Sequence, residues 1–204
     1  MSLRPDLAII SRWIEPGSRV LDLGCGDGTL LDYLQRTRAV HGYGLEIDGD
    51  NVNAAIRRGV NVLQVDIDQG LGQFRTASFD YVVMTQALQA VNHPARLLED
   101  MLRVGREGIV TFPNFGYWKA RVALGLRGRM PVIDSLPAQW YETENVHLCT
   151  VQDFEALCRN LSIAIRHRRV VDWQHRSNWA MQRAPNLLGE IALYSLSGAG
   201  RAGR

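Results

Sequence analysis

VLDLGCGDGTLL, residues 20–31, sets three glycines, Gly24, Gly26 and Gly28, between an apolar run and a helix-like repeat. RVLDLG suits a buried strand, and GTLLDYLQRT returns apolar residues at helical spacing. Glycines at such a junction let the backbone turn sharply and approach a ligand closely. In an open α/β sheet, ligands bind beyond the carboxyl ends of the strands. The spacing here is G-x-G-x-G, not the dinucleotide pattern G-x-G-x-x-G. Asp22 precedes the first glycine and Asp27 lies inside the loop. Acids crowded there repel a pyrophosphate and suit a ligand carrying an ammonium or sulfonium charge.

The same two rhythms continue on either side. RPDLAIISRWI, before the loop, is an amphipathic helix with Leu7, Ile10, Trp13 and Ile14 on one side. After the loop, HGYGLEI, VNVLQV, FDYVVMT and EGIVTFP read as strands, separated by DNVNAAIRRG and HPARLLEDMLRVG as helices. TVQDFEALCRNL is a helix with Thr150 as its N-cap. SIAIRHRRVVD and LLGEIALYSL are strands flanking a polar segment that contains tryptophan. Alternating strands and helices predict a doubly wound, mostly parallel sheet with helices on both faces. One domain is expected over 1–197, with 114–149 an irregular cap or interface insertion and 198–204 a flexible tail.

Two acids fall where the alternation ends strands. Glu46 closes HGYGLEI about 20 residues beyond the glycine bend, the separation at which an acid meets a ribose. Asp66 follows VNVLQV, placed to accept a hydrogen bond from an exocyclic amine. Bend, ribose acid and third-strand acid in this order point to a nucleoside site.

Composition narrows the classes. The chain has 204 residues, 46% hydrophobic and 22% charged, with 23 basic against 21 acidic residues and a net charge of +2. That balance disfavours nucleic acid or an acidic membrane as the main partner. The three cysteines, Cys25, Cys149 and Cys158, show no C-x-x-C spacing, so neither a disulfide framework nor a metal site is expected. With no signal-peptide pattern and no apolar run of spanning length, a cytoplasmic protein is expected.

DLGCGDG, Glu46, Asp66 and FDYVVMTQALQAV resemble the class I S-adenosylmethionine-dependent methyltransferases. The resemblance implies a seven-stranded sheet ending in an antiparallel strand, here LLGEIALYSL. It also implies a cofactor site for S-adenosylmethionine or S-adenosylhomocysteine. Asp22 and Gly24 would lie near its methionine end, Glu46 at the ribose, Asp66 at the adenine, and Thr85 and Gln86 near the sulfonium. Cys25, Gly26, Gly28, Ile47 and Ile67 complete the expected contacts.

LRPDLAIISRWIEPGSRVLDLGCGDGTLL, YGLEID, TQALQAV, FPNFGYW, GRMPV and QWYETENVHLCTVQDFEALC together resemble the methionine biosynthesis protein MetW family over about residues 3–195. That family is associated with homoserine O-acyltransferase. The implied role is therefore an accessory partner of that enzyme; the alternative is an active methyltransferase on an unidentified small molecule. Residues 118–149 are expected to cover the cofactor site and contribute protein contacts, with Trp118, Met130, Trp140 and Tyr141 as anchors.

No catalytic residue is assigned. The candidates for acceptor chemistry are His147, with Tyr141, Glu142 and Glu144 near it in the chain, then Tyr141 itself and Asn114. A loop histidine held by backbone groups is the plainer reading of His147. P-N after the fifth strand matches too little of an amide- or base-methylating motif to stand. Cys25 follows a bend that opens a helix, where thiols can be activated, yet a small packed residue fits it better. RHRR, residues 166–169, lacks interleaved aromatics and reads as a solvated strand face.

Overall fold

The computed structural model describes residues 5–143 and 147–198. The strands are β1 (Arg19–Leu23), β2 (His41–Glu46), β3 (Asn61–Gln64), β4 (Phe79–Thr85), β5 (Gly105–Pro113), β6 (Ile163–Val171) and β7 (Ile191–Gly198). The helices are α1 (Pro5–Trp13), α2 (Thr29–Arg38), α3 (Gly49–Arg57), α4 (Pro94–Val104), α5 (Trp118–Arg127), α6 (Val151–Asn160), α7 (Trp179–Arg183) and α8 (Pro185–Leu188). All seven strands form one sheet in the order β3-β2-β1-β4-β5-β7-β6. Neighbours from β3 to β5 are parallel, and β7 runs antiparallel to both β5 and β6. The last strand thus inserts between two others instead of closing an edge. LLGEIALYSL is also divided: Leu187 and Leu188 belong to α8, whose first residue is Pro185, and β7 begins after Gly189 and Glu190. Proline favours the first turn of a helix, so a short turn forms before the strand can start.

Alternation along the strands feeds two cores. Leu21, Leu23, Val82, Met84, Val110 and Phe112 face α4 and α6, where Leu98, Met101 and Phe154 meet them. Val20, Val83 and Ile109 face the other way, towards Ile10 and Ile14 of α1 and Leu31 and Leu34 of α2. Phe112, Phe154 and Tyr194 form one aromatic cluster with centroids 4.7–5.9 Å apart. Because the central strands are buried on both faces, their inner residues are mostly apolar, with Asp22 and Thr111 as buried polar exceptions.

Caps set where helices begin. Thr150 Oγ1 accepts the Asp153 N–H at 3.2 Å and Asp153 Oδ2 accepts the Thr150 N–H at 3.0 Å, a reciprocal capping box. Asp48 caps α3 by accepting the Asn51 N–H at 2.8 Å. The RHRR face is exposed along β6, as expected, with Trp13 of α1 stacked on His167. The polar tryptophan segment contains α7, which its short length hid from periodicity. Of the expected tail, Gly198 ends β7 and the remainder lies outside the described residues. No helix among the described residues is long and apolar enough to cross a membrane.

Candidate functional site

The bend after β1 is built from backbone conformations that favour glycine. Gly24, Gly26 and Gly28 have φ of 68°, 54° and 77°, the left-handed region. The Gly24 and Cys25 N–H groups both donate to Leu45 O, at 2.8 and 3.0 Å, stitching the bend to the end of β2. Nothing lies within 4 Å of where a Cβ at Gly26 would sit, so this backbone faces open space. At Gly24 the nearest neighbour of such a Cβ is the Ala87 side chain, at 3.5 Å. The loop after β4 therefore abuts the glycine bend.

Cys25 is turned inward, and a side chain at Gly44 would collide with its sulfur. Burial, then the charges of Asp22 and Glu46, push its thiol up to about 12. The helix start does not activate it. Asp27 is likewise engaged by protein. Its Oδ1 accepts from the Thr29 N–H and hydroxyl at 3.1 and 2.7 Å, and its Oδ2 accepts from Arg58 at 2.6 Å. Burial alone would raise its pKa, but the Thr29 hydrogen bonds and the Arg58 guanidinium together hold it below the usual carboxylate range. The expectation that Asp27 lends its charge to a ligand is corrected: Arg58 offsets that charge. Asp22, 2% exposed, lies directly beneath the bend at the end of β1.

Glu46 is the tie between strand ends. Its Oε2 accepts the Gly26 N–H at 2.8 Å, and its Oε1 accepts the Ile47 and Asp48 N–H groups at 2.9 and 3.0 Å. A carboxylate offers about four lone-pair sites, and three are occupied. A second vicinal hydroxyl would have to share. Asp66, half-buried, accepts the Asp68 N–H at 2.9 Å and opens a tight turn over Ile67–Gln69. Its strand adjoins Glu46 through a bond from Val65 N–H to Glu46 O at 3.0 Å. At the end of β4, Thr85 is half-buried, and Gln86 takes a left-handed φ of 56° with its N–H on the carbonyl and hydroxyl of Thr111. A non-glycine residue in that region is strained, and such strain clusters at functional sites.

Sheet order therefore arrays Asp66–Ile67, Glu46–Ile47, the Gly24–Gly28 bend over Asp22, and Thr85–Gln86 along one edge. Glu46, Gly26 and Ile47 are joined directly. Asp66 comes beside them only through the pairing of β2 and β3.

The acceptor candidates are arranged differently. Asn114 is fully buried: its Nδ2 donates to Gly189 O at 2.7 Å, and its Oδ1 accepts the Gly116 and Val151 N–H groups at 2.9 and 3.1 Å. It joins the ends of β5, α6 and α8, and its amide is not available to a substrate. His147 donates its backbone N–H to Gln89 O at 3.0 Å, and its exposed ring lies 3.1 Å from Asn92 O. Tyr141 is 67% exposed and packs edge-on against Trp140. Among the described residues no hydrogen bond joins Tyr141 to His147, and Glu144 lies outside them.

Two residues escaped the sequence reading. Gln89, 1% exposed, donates to Pro113 O at 3.1 Å and to the Cys149 sulfur at 3.2 Å, while its Oε1 has no partner among the described residues. Glu190, fully buried, accepts the Ser135 and Trp173 N–H groups, each at 3.2 Å. A polar side chain inside an apolar run is the signal that would have found both.

Residues 114–149 contribute α5, of which only Ala120 is buried. Trp118, Met130, Trp140 and Tyr141 are exposed by 44, 40, 70 and 67%, so these four side chains do not close the protein's own core.

Comparison with known proteins agrees with this architecture. The bifunctional methionine biosynthesis protein MetXA/MetW of Rhodopirellula baltica is 33% identical over 202 residues, covering 95% of this chain. This chain spans about a third of that relative's length, 32%. Among solved structures, an S-adenosylmethionine-dependent methyltransferase from Mesorhizobium loti superposes with a TM-score of 0.69 at 20% identity, covering 95% of this chain and 96% of the other. A chain of the Haloferax volcanii complex containing the Trm112 methyltransferase activator gives 0.68 at 16% identity, covering 96% and 90%. Those likenesses establish the class I methyltransferase fold. The family described as "Methionine biosynthesis protein MetW" matches residues 4–196: this chain belongs to the MetW family.

Proposed function

We propose that this protein binds S-adenosylmethionine or S-adenosylhomocysteine along the edge formed by β3, β2, β1 and β4, and acts as an accessory partner of homoserine O-acyltransferase. The observation that carries the nucleoside reading is the Glu46 clamp on Gly26, which places a carboxylate beside open backbone at a glycine bend. Glu46 would take a ribose hydroxyl, Asp66 the adenine amine, and the bend over Asp22 the methionine portion. S-adenosylmethionine, when bound, supplies an activated methyl group. The protein's own share of such a transfer is orientation and, for some acceptors, a base. No acid–base pair stands over the strand ends among the described residues, since Asn114 is engaged and His147 rests on backbone. That favours the accessory role over the active-enzyme alternative.

For the partner, the support is the bifunctional MetXA/MetW relative, in which the two functions share one chain. A covalent tether raises the effective concentration of weakly associating modules. The exposed Trp118, Met130, Trp140 and Tyr141 have the residue types of an interface centre. The cofactor derives from the product of the pathway, so its occupancy would report methionine supply if it binds the free and partnered states unequally.

Calorimetry with S-adenosylhomocysteine, on wild type and Asp22→Ala, tests the first half; saturable heat lost in the variant is expected. Co-purification with homoserine O-acyltransferase, with and without Trp118→Ser and Trp140→Ser, tests the second. Absence of nucleoside binding, or of any complex with the wild-type chain, overturns the corresponding half. A labelled methyl product from cell metabolites, lost in Glu46→Ala, would install the active-enzyme reading instead.

A further inference from the structure

The loop between β4 and α4 touches the strand-edge site at two places. At its start, Gln86 holds a left-handed φ of 56° beside Thr85, and Ala87 is the neighbour that a Cβ at Gly24 would meet. At its end, Asp68 accepts both the Asn92 N–H at 2.8 Å and the Asn92 Nδ2 group at 2.6 Å. Asp68 belongs to the tight turn that Asp66 opens, and Asp66 accepts the Asp68 N–H at 2.9 Å. Between the two ends Leu88, Gln89 and Val91 are buried. A segment packed in this way transmits a displacement instead of absorbing it.

The same loop also holds residues 147–149. Gln89 O accepts the His147 N–H at 3.0 Å, Asn92 O lies 3.1 Å from the His147 ring, and Gln89 Nε2 donates to the Cys149 sulfur at 3.2 Å. Asn92 thus stands between two partners: Asp68 holds it on the side of the proposed adenine turn, and it meets His147 on the other. Resting on the nucleoside assignment above, we infer that residues 86–92 form a mechanical link through which an occupied strand edge fastens residues 147–149 to the body of the protein. A nucleoside touching Asp66 and Ile67 at one end and Thr85 and Gln86 at the other binds best at the spacing that the Asp68–Asn92 pair sets. It therefore favours the fastened conformer over a loosened one, and that difference in affinity is the coupling. Through it, occupancy reaches the chain that runs back from the exposed Trp140 and Tyr141.

The test is amide hydrogen exchange read residue by residue by NMR on the full chain, free and saturated with S-adenosylhomocysteine. In the wild type the nucleoside should slow exchange of the His147 amide at least about fivefold, the effect that the stabilisation of one ordinary hydrogen bond produces. The Gly128 amide, which donates to Leu124 O at the end of α5, should not change. Asp68→Ala, and the milder Asn92→Ala at an exposed position, should bind the nucleoside saturably in calorimetry yet lose most of the slowing at His147. Saturable binding with no change at His147 overturns the link and leaves the nucleoside assignment standing. Equal slowing at Gly128 also overturns it, because the whole chain is then tightened alike. Full slowing retained in either folded variant overturns it too, by removing Asp68 and Asn92 from the route. No saturable binding by the wild type overturns the nucleoside assignment, and the link with it.

Discussion

Glu46→Ala removes one side chain that three backbone donors share. In the wild type the Gly26, Ile47 and Asp48 N–H groups donate to it at 2.8, 2.9 and 3.0 Å. A hydrogen bond to a charged group contributes about 1.5–3 kcal/mol. The three contributions do not sum, because Ile47 and Asp48 are exposed and water can reach their amides. The Gly26 amide, in the bend itself, loses the most. A net loss of about 2–4 kcal/mol is expected. For a chain of this size each kcal/mol moves Tm by about 2–4 °C, so the variant should melt about 4–16 °C lower. Loss of the ribose acceptor should separately weaken S-adenosylhomocysteine by about 10- to 100-fold. Glu46→Gln is the control: it keeps Oε1 for two amides but turns an NH₂ group towards the Gly26 N–H. It should fall between wild type and Glu46→Ala in stability. Calorimetric melting and titration at a temperature where every variant is folded separate the two effects. Unchanged melting together with unchanged affinity in Glu46→Ala would refute the clamp and the nucleoside assignment at once. Lower stability with intact affinity would leave Glu46 a structural residue only.

Asn114→Ala should cost about 3–5 kcal/mol in urea denaturation, because it strands the buried Gly189 carbonyl and the Gly116 and Val151 amides; near-wild-type stability would restore Asn114 as a candidate for chemistry. The depressed pKa of Asp27, set by its Thr29 and Arg58 contacts against the opposing effect of burial, gives stability that is full above the unfolded aspartate pKa of about 4. That stability is lost as pH falls through the lower folded value. The stability gap between wild type and Asp27→Asn should accordingly be flat at neutral pH and close in acid, as denaturant midpoints across pH would record. Burial is the first cause raising all three thiols, to about 12 for Cys25 and Cys158 and about 11 for Cys149. Iodoacetamide at pH 8 should therefore label none of them appreciably until the chain is unfolded, as intact mass shows; rapid native labelling of Cys25 would contradict its packing against Gly44.

Much of the architecture was legible because period and punctuation agree locally. FDYVVMT coincides with β4, and the Thr150 cap opens α6 where expected. Strand edges elsewhere shift by a residue or two. The glycine bend was readable because three left-handed positions in five residues demand glycine whatever surrounds them. Asp27 and Asn114 were harder. A carboxylate in a ligand loop and an amide after a strand look chemically available in one dimension. Only the folded chain brings Arg58, 31 residues away, onto Asp27 and closes Gly189 over Asn114.

By itself, the sequence determined the alternation of strand and helix, the bend, and acids at three strand ends, all consequences of local backbone and side-chain chemistry. Tertiary structure decided which strand ends adjoin and that β7 slips between β5 and β6. It also decided that Glu46 binds the bend and that Asn114 ties the ends of β5, α6 and α8 together. These depend on contacts between residues far apart in the chain, whose partners no local pattern specifies.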